Sequence, residues 1–180
     1  MFELGKGYKV GDYHPYWIYT PAGKEHNPAF DNHSDKVLDL KKPASDYRRG
    51  VAVDYFFSLM NPKLPPGLAV CFVPSSDPKK RDTGMRDLAR RLAAADRLDA
   101  TDCLIRSKAI PALHSGGNRS FEVQLASLRV DHADLIKSQD VVVLDDVRTS
   151  GNSLTACRMI LLDAGAKSVT TIAMGKTTHA

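Results

Sequence analysis

Short apolar runs alternate along this chain with longer stretches of helical periodicity. Leu68 to Pro74 (LAVCFVP) and Val141 to Leu144 (VVVL) are almost continuously apolar, a pattern typical of parallel strands covered on both faces. Cys103 to Arg106 and Ser168 to Met174 predict two further strands. Strands that alternate with helices predict an α/β protein with a doubly wound, mostly parallel sheet.

Helical periodicity marks the segments between these runs. Val51, Tyr55 and Leu59 recur at a spacing of four, and the sequence NPKLPPG that follows ends their helix. Similar patterns recur three times further along the chain. The predicted helices cover residues 43–60, 82–96, 121–130 and 152–164.

The first 42 residues differ in character from the rest. They are rich in Tyr, His, Gly and Pro, with an aromatic cluster between Tyr8 and Tyr19. We expect irregular structure or a small hairpin packed on the main body here. The predicted division is an N-terminal region, residues 1–42, and a core domain, residues 43–180.

Composition fits a globular protein with one core. The chain has 180 residues, of which 43% are hydrophobic and 26% charged. No apolar stretch approaches the roughly 20 residues that span a bilayer, and the N-terminus shows no secretion signal, so we expect a cytoplasmic protein. A net charge of +4 permits a phosphate-rich ligand or nucleic acid but does not choose between them.

The three cysteines give no sign of a metal site. Cys71, Cys103 and Cys157 are far apart, each in an apolar setting, and none forms a CxxC pair. We expect them to be buried and reduced.

The segment VVVLDDVRTSGNSLTAC, which begins at Val141, carries most of the chemistry. Its acid pair, Asp145 and Asp146, follows a buried strand, where open α/β sheets bind ligands, and could accept hydrogen bonds from the two hydroxyls of a ribose. The loop from Val147 to Ser153 opens onto a helix N-terminus, whose N–H groups and neighbouring hydroxyls favour a phosphate. Gly151 would let the backbone approach that phosphate closely. Together these features predict a ribose 5-phosphate site.

Other structures could produce parts of this pattern. A strand that ends in solvated acids and is followed by an ordinary capped helix would look similar, but the combination in this order favours a ligand site. No GxGxxG follows a strand. Gly175-Lys176-Thr177 has the ending of a P-loop, but Thr170 stands where the first glycine belongs.

Val141 to Ser153 resembles the PRPP (phosphoribosyl diphosphate) signature of type I phosphoribosyltransferases. Arg148 departs from the family pattern, which usually has an apolar residue there. The resemblance implies the type I phosphoribosyltransferase fold and a site for PRPP. The residues it implies for ribose and the 5-phosphate are Asp145, Asp146, Val147, Arg148, Thr149, Ser150, Gly151, Asn152 and Ser153.

Two further segments resemble members of the same family. Pro74-Ser75-Ser76-Asp77 and the basic residues after it resemble the pyrophosphate loop. The stretch from Arg106 to Arg119, with Ser115 and Gly116, resembles the competence protein F group of phosphoribosyltransferase-like proteins. The implied pyrophosphate ligands are Ser75, Ser76, Lys79, Lys80, Arg81, Arg106 and Lys108, with Arg119 as a further clamp. For the segment after Pro74 the alternative is a solvated basic turn, and for Arg106, Lys108 and Arg119 it is ordinary surface cations. His114 is more typical of an exposed loop histidine than of a proton-transfer group.

The resemblance implies an Mg²⁺-dependent enzyme that transfers the 5-phosphoribosyl group to a nitrogenous acceptor and releases pyrophosphate. The expected acceptor is a nucleobase. Its catalytic residues would be Asp145, Asp146 and Arg119. PRPP would carry the Mg²⁺, and Asp145 is the one protein group that could be a further ligand of that metal. The N-terminal region would form the hood that this family places over the acceptor. The alternative function is a non-catalytic regulator or nucleic-acid-handling protein of the same fold. Acceptor identity and oligomeric state stay open, although dimers are common in the family.

Overall fold

The computed structural model of the chain describes residues 1–110 and 120–178. Within these ranges it contains nine strands and five α-helices. The strands are β1 (Gly7–Tyr13), β2 (Trp17–Thr20), β3 (Gly23–His26), β4 (Ala69–Phe72), β5 (Leu98–Asp99), β6 (Leu104–Arg106), β7 (Leu128–Val130), β8 (Asp140–Arg148) and β9 (Ser168–Thr177). The helices are α1 (Asn32–Asp39), α2 (Tyr47–Met60), α3 (Gly84–Ala93), α4 (Phe121–Ser127) and α5 (Asn152–Asp163).

Five strands form the main sheet, in the order β1-β9-β8-β4-β5. All four neighbouring pairs are parallel, and Cys71 of β4 lies opposite Val143 of β8. The chain leaves β4 towards β5 on one side and leaves β8 towards β9 on the other. The sheet therefore reverses its winding direction between β4 and β8, which is where open α/β sheets bind ligands. The predicted doubly wound, mostly parallel fold is confirmed.

Helices cover both faces of this sheet. Val142 and Leu144 face a core shared with α1, α2 and α3, whereas Val141 and Val143 face a second core with α5. Burial on both faces explains why the VVVL run is continuously apolar instead of alternating. None of the helices in the described part of the chain is long and apolar enough to cross a membrane.

The segment around Cys103 differs from the sequence prediction. Strand β6 does not continue the main sheet but pairs antiparallel with β7, which takes residues predicted to end a helix at 130. The reason is that the edge beside β4 is already occupied by β5, through Ala69 and Leu98. Leu104 and Leu128 are buried instead in the second core, against the α5 side of the sheet.

The N-terminal region is more ordered than its composition suggested. Strand β1 is an edge strand of the main sheet and pairs with β9, and α1 packs beside it. The expectation of irregular structure was wrong for these two elements, because Tyr8 and Val10 pack against the first core while Lys9 and Asp12 are exposed, a strand alternation that aromatic residues obscured. Strands β2 and β3 form the small hairpin.

The cysteines are free thiols buried in the second core, as predicted. Burial raises the pKa of the Cys71 and Cys157 thiols. These residues act as small apolar groups in the sheet and in α5.

Candidate ligand-binding site

A cavity of about 280 Å³ opens at the carboxyl ends of β4 and β8. One wall comes from the segment after β4, residues 73–76, and another from the end of β8, residues 145–147. Further polar residues of the lining are Lys41, Lys80, Thr83, Arg106, Gln124 and Ser153. The cavity therefore joins residues that lie in five separate parts of the sequence.

The acid pair lies within the carboxyl-terminal part of strand β8 and not in the loop after it. The Asp145 carboxylate accepts the N–H of Asp146 through Oδ1 at 2.9 Å, and the Asp146 carboxylate accepts the N–H of Val147 through Oδ1 at 2.6 Å. Each acid is thus held by the backbone of its neighbour. Both carboxylates line the cavity.

The two acids stand in different electrostatic settings. Burial raises the pKa of Asp145 well above its usual value, and the charge of Asp146 adds to the rise. Asp146 instead forms an ion pair with Lys41, whose Nζ lies 3.1 Å from its Oδ2. Burial works to lower the pKa of Lys41, but the attraction of Asp146 outweighs it and leaves the Lys41 pKa raised. The site therefore contains one acid that favours its proton and one that is charge-compensated.

Lys41 is a site residue that the sequence analysis missed. Helix α1 begins after Asp31, whose side chain accepts the Ser34 N–H at 2.8 Å, and ends at the buried Leu40. Lys41 follows directly and so reaches the cavity. A lysine beside a helix end carries no sequence signal of its own, because its partner lies on a distant strand.

The loop between β8 and α5 provides the helix N-terminus that was predicted for a phosphate. Gly151 is the N-cap of α5 and has φ of +87°, a left-handed conformation that favours glycine. Ser153 lines the cavity, but Thr149 and Ser150 are exposed outside it. Thr149 Oγ1 lies 2.9 Å from Thr177 Oγ1, on the neighbouring strand. Of the three hydroxyls predicted to converge, Ser153 is the one that lines the cavity.

Arg148 and Asn152 lie on either side of this glycine, and neither lines the cavity. The aliphatic part of the Arg148 side chain passes beside Gly151, where a Cβ would lie 3.5 Å from its Cδ. The same side chain reaches towards Gly7 of β1. The unusual arginine in the signature is thus half-buried against the edge of the sheet.

Arg106 organises the wall after β4. Its side chain is 7% exposed, and it donates to the carbonyl oxygens of Pro74 and Ser75 at 3.2 and 3.3 Å. Its Nη1 also donates to Gln124 Oε1 at 3.1 Å and to Ser127 Oγ at 2.7 Å, both on α4. Arg106 therefore fixes the segment after β4 to α4.

The other residues predicted for pyrophosphate separate into three groups. Ser75, Ser76 and Lys80 line the cavity with Arg106. Arg81 borders a neighbouring cavity, and Lys79 and Lys108 are exposed and border neither. Arg119 lies outside the described residues, as do His114, Ser115 and Gly116.

A second missed residue, Arg49, anchors the basic turn. Arg49 lies on α2, is 3% exposed, and donates from Nε to Asp87 Oδ2 at 2.8 Å. Its Nη2 donates to Asp82, which follows the turn from Lys79 to Arg81. This contact ties the turn to α2 as well as to α3. The sequence showed only an ordinary cation near a helix start.

No cluster of three or more His, Cys, Asp or Glu side chains suited to a metal ion occurs among residues 1–110 and 120–178. Asp145 and Asp146 are the acids that line the cavity within those ranges.

Comparison with known proteins adds a partial relative. No protein-family model matches the chain. An adenine phosphoribosyltransferase of Treponema denticola is 39% identical over 67 residues, which is 37% of this chain, and the chain spans about a third (35%) of the length of that relative. The closer likeness to the competence protein F group stays a prediction. This partial similarity agrees with the resemblance to type I phosphoribosyltransferases that the sequence shows.

Proposed function

We propose that this protein is a phosphoribosyltransferase that binds PRPP in the cavity between β4 and β8 and transfers the 5-phosphoribosyl group to a nitrogenous acceptor, with a nucleobase as the expected class. One observation carries the proposal. The acid pair Asp145 and Asp146, the first turn of α5 at Ser153, and the segment from Val73 to Ser76 line a single cavity at the reversal point of the sheet. The ribose diol, the 5-phosphate and the pyrophosphate of PRPP would each contact a suitable group there.

In this proposal the ribose hydroxyls donate to the carboxylates of Asp145 and Asp146. The 5-phosphate accepts from the N–H groups of residues 149–153, at the start of α5, where the helix dipole favours an anion. Gly151 supports this role because a positive φ at the N-cap turns the loop into the helix without a side chain in the way. The side chains of Arg148 and Asn152 would shape the loop without touching the ligand.

Pyrophosphate would lie against the wall after β4. Ser75, Ser76, Lys80 and Arg106 are the polar groups on that wall, and cations beside a leaving pyrophosphate stabilise its charge. Mg²⁺ would enter with PRPP, held mainly by the oxygens of that ligand with Asp145 as the nearest candidate protein group, and would supply further charge neutralisation. Arg119 stays a prediction from the sequence.

The transfer would break the bond between C1 of the ribose and the pyrophosphate oxygen. The electron pair of that bond leaves with pyrophosphate, and the acceptor nitrogen forms the new bond to C1 and loses a proton. One of the two acids, Asp145 or Asp146, would accept that proton.

The first test is PRPP binding, measured by calorimetry. The Asp145→Asn and Asp146→Asn double variant should lose PRPP binding, because the diol loses both carboxyl acceptors. The control is Asp134→Asn with Asp163→Asn, which changes the charge equally at two exposed acids away from the cavity. Circular dichroism would verify that both proteins fold. Unchanged PRPP affinity in the cavity variant would overturn the proposal.

The second test is a pyrophosphate-release screen with PRPP, Mg²⁺ and a panel of nucleobases. Release with one base class would identify the acceptor. PRPP binding without release from any base would leave a non-catalytic PRPP-binding protein.

A nucleic-acid function receives less support from the structure. Three arginines of α3 form ion pairs: Arg86 with Asp102, Arg90 with Asp99 and Asp102, and Arg91 with Asp54. They therefore offer a polyanion less net charge than three unpaired arginines would.

A further inference from the structure

A second cavity, of about 260 Å³, lies on the other side of the segment after β4. Its walls come from residues 74–81, from the start of α3 at Arg86, and from strands β6 and β7. It shares Pro74, Ser75, Lys80 and Arg106 with the first cavity. The acid pair and Ser153 do not border it, so the proposed PRPP site leaves it unused.

The lining of this second cavity is strongly cationic. Five basic side chains border it, and the two carboxylates present are Asp77 and Asp102. Asp102 Oδ1 lies 2.6 Å from Arg86 Nη2 and compensates that cation, and Asp77 Oδ1 accepts the Lys79 N–H at 2.9 Å, so five cations and two carboxylates leave an excess of three positive charges. The basic residues are Lys80, Arg81, Arg86, Arg106 and Arg129.

Two of the five cations are withdrawn from solvent, whereas Lys80, Arg81 and Arg129 are exposed. Arg106 is 7% exposed, and the Arg86 side chain is 20% exposed. The Arg86 Nε is buried and has no hydrogen-bond acceptor within the described part of the chain. Cations held in a concave, partly desolvated site raise the local potential and favour an anion. Guanidinium groups in particular match the oxygens of a phosphate.

The lining restricts the class of anion. Phe72 is the aromatic residue on its described lining, and it is 7% exposed, so it offers little surface on which a base could stack. A compact phosphate anion fits better than a nucleotide.

We propose that the cavity bordered by Arg81, Arg86 and Arg129 is a second anion site that binds inorganic phosphate or pyrophosphate. The site is distinct from the PRPP cavity but shares Lys80 and Arg106 with it. An anion in the second cavity draws on the same two cations, and Arg106 also fixes the carbonyl groups of Pro74 and Ser75. Occupancy of one cavity therefore weakens binding in the other, and this consequence rests on the proposed function.

The site itself is tested by calorimetric titration with inorganic phosphate at constant ionic strength. The Arg81→Gln and Arg129→Gln double variant alters the second cavity alone, and its phosphate affinity should fall about tenfold or more. Lys6→Gln with Lys137→Gln, a pair of exposed lysines removed from both cavities, is the charge-matched control and should bind as the wild type does. Ser153→Ala alters the first cavity alone and should leave this phosphate affinity unchanged.

Two results would overturn the site. One is the absence of saturable phosphate binding to the wild type. The other is a loss of affinity in Ser153→Ala with no loss in the arginine variant, which would place the anion in the first cavity.

The coupling is tested by PRPP titration with and without saturating phosphate. Phosphate should weaken PRPP binding several-fold in the wild type and have little effect in the arginine variant. Equal weakening in both proteins would contradict the coupling. Failure of PRPP to bind under any condition would instead contradict the proposed function, while the phosphate titration would still decide the second site.

Discussion

Lys41 Nζ lies 3.1 Å from Asp146 Oδ2, so the end of α1 reaches the acid pair at the end of β8. The contact makes the N-terminal part of the chain a wall of the candidate site. Leu40, the residue before Lys41, accepts the N–H of Gly84 at 3.1 Å, which joins the same helix end to the start of α3. The position of α1 therefore influences both the acid pair and the segment that follows β4.

Replacing Lys41 with Met should weaken PRPP binding by about five- to tenfold. The substitution removes a cation from a cavity proposed for an anionic ligand and leaves Asp146 without its ion pair, and charge-assisted contacts of this kind contribute about 1–1.5 kcal/mol. Calorimetry with PRPP would measure the change. Lys42→Met is the matched control, because Lys42 does not line the cavity. Equal affinities for the two variants would contradict a role for Lys41.

The raised pKa of Asp145 predicts a specific pH dependence of stability. Its carboxyl holds a proton in the folded state at pH values where the unfolded chain has already released it, so its contribution is complete below 3.8 and is lost as pH rises through the folded-state pKa. Asp145→Asn should therefore gain stability relative to the wild type as pH increases from about 4 upward. Urea unfolding at a series of pH values would measure the difference. A constant difference across that range would show that Asp145 ionises normally.

Arg49→Met should destabilise the protein by about 1–3 kcal/mol, because a buried guanidinium loses its bonds to Asp82 and Asp87. It should also weaken pyrophosphate binding, since the turn from Lys79 to Arg81 loses its anchor. Denaturant unfolding and pyrophosphate titration would measure the two effects. Arg48→Met, at the neighbouring and more exposed position of the same helix, should have the smaller effect on both. Equal effects of the two variants would argue against the anchor.

Two glycine-to-alanine variants should change stability in opposite directions. A Cβ at Gly84 would lie 2.6 Å from the carbonyl oxygen of Leu40, a backbone atom that cannot move independently, so Gly84→Ala should destabilise by about 1–3 kcal/mol. A Cβ at Gly50, an exposed position of α2, meets nothing within 4 Å among the described residues. Gly50→Ala should stabilise by about 0.5–1 kcal/mol. Denaturant unfolding of both variants would test the close contact between α1 and α3.

Local patterns in the sequence were sufficient for the central strands and for the acid pair. The run from Val141 to Leu144 is apolar because helices cover both faces of β8, so this burial can be recognised in the sequence. Helical periodicity likewise predicted a helix over residues 152–164, and α5 spans Asn152–Asp163. These features depend on neighbours within a few residues.

Tertiary packing decided which side chains meet in the cavity. Lys41 and Arg49 reach their partners only because α1 and α2 pack on the same face of the sheet, and no local pattern encodes a contact between distant segments. Thr149 contacts Thr177 and lies outside the cavity that Ser153 lines, because the loop leaves β8 beside β9. The sequence by itself determined the fold class and the place of the acid pair, through burial and backbone conformation. The cations around that pair, and the wall that separates two cavities, were decided by how the layers pack together.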